Sequence, residues 1–126
     1  ETFLCSKLDH RLRDEKRPAA LLEFYRELIR LRTETPALAL PSKDHSEIGG
    51  WEDEKVVKLR RWAADDEVVI FFCLAGAPVR LTEPFPEGRW RRLLDSEEPR
   101  WMGRGSTAYP ALHPRSVVVY RRERET

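Results

Sequence analysis

Covalent and metallic scaffolding is scarce in this sequence. Cys5 and Cys73 are its only cysteines, too few for a disulfide framework and without the short spacings of a zinc site. That usage points to a reducing, cytoplasmic setting. No stretch approaches the roughly 20 apolar residues of a membrane-spanning helix. The opening, ETFLCSKLDHRLRDEKR, lacks the apolar core and the small-residue cleavage pattern of a secretory signal. It carries no methionine and begins within a charged segment, which reads as a piece of something longer. Net charge is missing too, since 23 basic and 22 acidic residues leave +1. No field of one sign draws the chain to nucleic acid or to an anionic membrane. Arg89, Arg91, Arg92, Arg115, Arg121 and Arg122 therefore read as part of a solvated face of mixed sign.

Chemistry-bearing constellations are equally sparse. His10, His45 and His113 are the only histidines, and none has a second ligand-type residue at helical spacing, so no metal site is expected. Glycoside cleavage needs two carboxyl groups about 5 to 10 Å apart, one kept protonated by burial. Here the acids fall in turn-like runs, Asp65, Asp66 and Glu67 and again Glu97 and Glu98, which are expected to be hydrated surface charges. The serines form no nucleophile elbow, and the glycines form no phosphate-cradling loop. The sequence therefore offers no catalytic residue and no cofactor cradle.

What is present is pattern. A chain of 126 residues, 36% charged and 40% hydrophobic, suits one globular domain with a modest core. From Pro18 to Arg32, Leu21, Leu22, Phe24, Tyr25, Leu28, Ile29 and Leu31 fill one half of a helical wheel. Glu23, Arg26, Glu27 and Arg30 fill the other. Pro18 suits a first helical turn, Asp14 could cap the charged turn before it, and Pro36 stops the helix, with Pro41 and Ser42 extending the break. An apolar half-cylinder is wider than the stripe of about 100° that a simple surface helix needs, so this helix should touch two bodies. Beyond Gly49 and Gly50 the period becomes strand-like. Val56 to Trp62 and Val68 to Leu74 read as a hairpin about the turn Ala64 to Asp66. Pro78 to Thr82, Trp90 to Leu94 and Ser116 to Arg122 read as three further strands. VVIFFCL is apolar at successive positions, which marks a central strand buried on both faces. The fold class expected is mainly β, an antiparallel sandwich preceded by one amphipathic helix.

Four tryptophans remain as candidate contacts, because an indole face stacks on the apolar face of a sugar ring much as it packs on other apolar groups. Trp62 and Trp90 lie in strand-like runs and suit core packing. Trp51 and Trp101 lie near glycines in expected loops, and suit a sugar platform or a contact to a neighbouring domain.

Two segments carry a resemblance. ETFLCSKLD at residues 1–9 and LLEFYRELIRLRTETPAL at residues 21–38 resemble the end of the catalytic barrel in malto-oligosyltrehalose trehalohydrolases and the related glycogen branching enzymes. SKLD at Ser6 to Asp9 and YRELIRLR at Tyr25 to Arg32 are the most specific parts, and His10 stands where the family tends to have an aromatic. VVIFFCLAGAPVRL, WRRLLDS and LHPRSVVVYRR are similar to the small β-sandwich that follows the barrel across the α-amylase superfamily. The resemblance implies a division at residue 40, with the barrel's last helix in 1–40 and a C-terminal sandwich in 41–126. It further implies a parent enzyme that hydrolyses the α-1,4 bond next to the terminal trehalose unit of maltooligosyl-trehalose. The parent's catalytic carboxylates would lie on barrel strands ahead of Glu1, so none transfers to this chain. Leu21, Leu22, Tyr25, Leu28 and Ile29 would face that barrel, the expected partner. The alternatives are an autonomous α-glucan-binding module using Trp51 or Trp101, and the same domain from a branching enzyme or an α-amylase.

Overall fold

In the computed structural model, residues 16–39 and 43–124 are described. Cys5, the SKLD motif, His10, Asp14, Pro41 and Ser42 lie outside them. Helix α1 spans Lys16–Glu34, extending the expected helix by one half-turn at each end. Pro18 falls in its first turn, where no intrahelical N–H is lost. Arg26 pairs with Glu23 at 2.6 Å, and Arg30 pairs with Glu27 and, at 2.8 Å, with Glu34. Such exposed pairs contribute only a few tenths of a kcal/mol each, so the apolar face carries the helix.

Pro36 ends α1 and also begins a second turn, α2, at Pro36–Ala39. Proline suits the first position of a helix because its missing N–H would have no partner there. The next free N–H, on Ala37, donates to Asp66 Oδ2 at 2.9 Å. The stop signal thus bends the chain onto the sheet.

Among the described residues seven strands follow: β1 Ser46–Trp51, β2 Val56–Ala63, β3 Asp66–Cys73, β4 Val79–Arg80, β5 Trp90–Asp95, β6 Ala111–Leu112 and β7 Ser116–Arg122. Five of them form an antiparallel sheet in the order β1-β2-β3-β7-β5, and β4 pairs with β6 in a separate ribbon. The β2–β3 hairpin closes with Ala63 opposite Asp66. Its turn is therefore Ala64 and Asp65, with Ala64 at φ 54°, and Asp66 belongs to the strand rather than to the turn. Two strands escaped the sequence reading: β1, because its two glycines and its exposed polar neighbours mask any alternation, and β6, because two residues are too few to show one.

The sheet is covered on both faces, as the apolar run VVIFFCL demands. Val69, Phe71 and Cys73 of β3 join Val56, Leu81, Leu112, Val118 and Tyr120 in one buried cluster beneath the β4–β6 ribbon and its loops. Val68 and Ile70 point the other way, joining Leu94, Val119, Leu31 and Ala37 beneath the helices. The architecture is mainly β and sandwich-like, as expected, with the helix as a third layer. The strand at Val79–Arg80 is much shorter than the expected Pro78 to Thr82, since Pro78 has no N–H to give a ladder.

Candidate functional site

The two apolar rows of α1 have different fates. Leu31 is buried, and Phe24 and Leu28 pack partly buried against the sheet cluster. Leu21, Tyr25 and Ile29, spaced four residues apart, are 55%, 56% and 62% exposed. Side chains at i and i+4 lie one above another on a helix, so these three form a continuous apolar row beside the packed one. Leu22 is half-buried. Of the five residues expected to face a second body, Leu28 turns to the sheet, Leu21, Tyr25 and Ile29 turn to the surface, and Leu22 lies between.

Trp101 is committed to the fold. It sits in a 3-10 turn, Pro99–Trp101, rather than in an irregular loop. Its ring meets Phe24 edge-on at 5.3 Å, and the Arg100 guanidinium lies 4.3 Å from its centroid. The loop that presents it is tightly tied. Glu98 O accepts the N–H groups of Trp101 and Gly103, and Glu97 O accepts that of Gly105. A Cβ on Gly103 would lie 2.2 Å from the Glu97 carbonyl carbon, so only glycine lets the loop close on itself. A ring held in this way serves as a brace between loop and helix.

Trp51 is different. It ends the edge strand β1 instead of lying in a loop, and it stacks on Phe71 at 6.5 Å with the rings 28° apart. Half-buried, it borders two shallow concavities that share Gly50. One is lined by Glu47, Gly49, Lys58, Arg60 and Glu83 as well as by the ring. Trp90 is a core residue as expected, with its ring edge-on to Phe85 at 5.3 Å and its Nε1–H donated to Pro86 O. Trp62 corrects the expectation of core packing. It belongs to neither buried cluster and lies between the Arg60 guanidinium, 4.7 Å from its centroid, and His45 at 6.0 Å.

Within the acidic runs Asp65 is exposed, as expected, but Asp66, Glu67, Glu97 and Glu98 correct the reading that had them hydrated. Asp66 is only 4% exposed and joins Arg121 Nε, at 2.7 Å, to the Ala37 N–H. Glu67 bridges Arg60 and Arg122. Glu97 accepts from the Arg104 guanidinium and from its backbone N–H, and these contacts hold its carboxyl below the usual range. Arg30 does the same to Glu27. Both shifts run opposite to what a general acid requires, so burial alone does not supply one. Asp95 is a fully buried acid whose Oδ1 accepts the Glu97 N–H, while its Oδ2 and the Trp101 Nε1 have no partner among the described residues. At 1% exposure Asp95 is out of reach of any substrate. His113 bonds Gly105 O at 2.8 Å, and no group of three metal-ligand side chains occurs among the described residues. No helix of the described residues is long and apolar enough to cross a membrane.

A scan against protein-family models finds no match for the chain, and a search of curated proteins finds none either.

Proposed function

We propose that this chain is a non-catalytic accessory domain that braces the catalytic barrel of a glycoside hydrolase resembling the malto-oligosyltrehalose trehalohydrolases. The observation that carries the reading is the row Leu21, Tyr25 and Ile29, an apolar stripe left uncovered beside one that packs on the sheet. Exposed aliphatic and aromatic side chains in a continuous row are the usual mark of a protein contact. Burying three such side chains is worth roughly 1.5–3 kcal/mol each, enough to hold two domains in register when they are already joined in one chain. Residues 1–40 would then belong to the end of the barrel region and 41–126 to the sandwich, with α1 packed between them. The buried free thiol of Cys73 suits a cytoplasmic enzyme.

Chemistry agrees with a supporting role. Carboxyl groups lowered by arginine partners keep their charge at neutral pH and have no proton to lend a leaving group. The 126-residue chain, incubated with maltooligosyl-trehalose, is expected to release no trehalose, and measurable release from pure protein ends the proposal. The coding region ahead of Glu1 supplies a second test: it must encode a barrel with three positioned carboxylates. In that longer polypeptide, Tyr25→Glu with Ile29→Glu is expected to lower the barrel's thermal midpoint. An unchanged midpoint removes the helix row from the interface.

A further inference from the structure

We infer that the groove on β1 and β2 beside Trp51 is a binding site for a neutral oligosaccharide, independent of the helix row. The register places Glu47 opposite Arg60, Gly49 opposite Lys58 and Trp51 opposite Val56. Val56 belongs to the cluster under the ribbon, so these side chains share that face of the sheet. Glu83, from the loop after β4, closes the groove from the other side. Gly49 contributes no side chain, and a Cβ there would meet nothing within 4 Å. Bare backbone therefore forms an open floor between Glu47 and Trp51.

Three features select the ligand. The first is the indole, held at one end by its stack on Phe71, which presents a preset flat apolar surface of the kind that the C–H face of a pyranose covers. The second is charge. Two acids, Glu47 and Glu83, and two bases, Lys58 and Arg60, line the groove, so it attracts neither an anion nor a cation strongly. The third is the pairing of those charges. Arg60 is occupied by Glu67 at 2.6 Å and Glu47 at 3.3 Å. The ammonium of Lys58, half-buried, and the carboxylate of Glu83 line the same groove with no ion pair or hydrogen bond among the described residues, while the Glu83 carbonyl accepts from the Tyr109 hydroxyl. An ammonium offers only donors and a carboxylate only acceptors. A group that accepts from one and donates to the other completes both, and a hydroxyl does so. A ring carrying several hydroxyls on an apolar body meets all three conditions.

The test is a titration of the 126-residue chain, labelled with 15N, against maltohexaose and, in a second arm, cellohexaose, which differ only in linkage. Saturable millimolar binding is expected to move the Trp51 indole and the Gly49 and Gly50 amides. Whichever sugar binds more tightly identifies the linkage. Lys58→Met, which keeps the apolar stem of the half-buried side chain, and Glu83→Ala, at an exposed position, are each expected to retain the parent's far-ultraviolet spectrum and to weaken binding about tenfold, the loss of one hydrogen bond to a charged group. Trp51→Ala is expected to abolish it. The inference fails if neither sugar shifts these resonances, if the Trp101 indole responds in place of Trp51, or if the Lys58 and Glu83 variants both bind as the parent does. It also fails if inorganic phosphate moves the same resonances at lower concentration.

Discussion

Glu97 concentrates the residue-scale chemistry of this domain. Its carboxylate is tied to Arg104 by the guanidinium and by the backbone N–H, and its carbonyl accepts the Gly105 N–H. It thus closes the loop that delivers Trp101 to the helix. Because the Arg104 contacts lower the folded pKa below the ordinary 4.5, the charged form is favoured in the folded state. Stabilisation from this group is then complete above that ordinary value and is lost as pH falls through the depressed one. Glu97→Gln is expected to flatten the acid limb of the thermal midpoint below about pH 4.5 while leaving the slope above pH 6 unchanged. A thermal-shift series in matched buffers checks this, and an acid limb as steep as the parent's would remove Glu97 from the linkage. The same residue shows why turn-like acids were misread. Spacing reveals that Glu97 and Glu98 sit near a chain reversal, but not that Arg104 folds back over them, since that contact exists only once Gly103 has let the loop close.

At the scale of elements, the helix separates two kinds of apolar surface. Leu31 is buried in the sheet cluster, so Leu31→Ala is expected to cost about 2–4 kcal/mol by urea denaturation, the usual price of a core truncation. Ile29, 62% exposed, lies on the outer row, and Ile29→Ser should change stability by no more than about 0.5 kcal/mol. Equal losses at the two positions would mean that the outer row is covered in the isolated chain. Periodicity made the width of the apolar face plain, because a hundred-degree rotation per residue is local geometry. Which residues of that face would turn inward was not readable. The answer depends on the approach of the sheet, set by Asp66 drawing Ala37 in and by Trp101 reaching Phe24. The strands show a similar divide. β3 and β7 announce themselves through unbroken apolar runs, whereas β1 does not, since an edge strand rich in glycine gains its structure from β2 rather than from its own residues.

Across the whole molecule, the helix and the sheet share one cluster, so they should unfold together. Asp66 is the link, buried and bonded to both β7 and the turn after α1. Asp66→Ala leaves the Ala37 N–H without its carboxylate and takes the acid from Arg121, for an expected loss of about 2 kcal/mol. Tryptophan fluorescence, dominated by rings on and around the sheet, and far-ultraviolet ellipticity at the helix band should report coincident transitions in the parent. Separate transitions would show that the helix docks weakly. Alternation, apolar runs and proline positions by themselves determined a mainly β chain led by an amphipathic helix, because these depend on neighbours in sequence. Tertiary structure alone decided that Asp66 and Glu97 are held by arginines, that Trp101 is a brace, and that Trp51 fronts an open groove. Each of those depends on groups distant in the chain that only folding brings within reach.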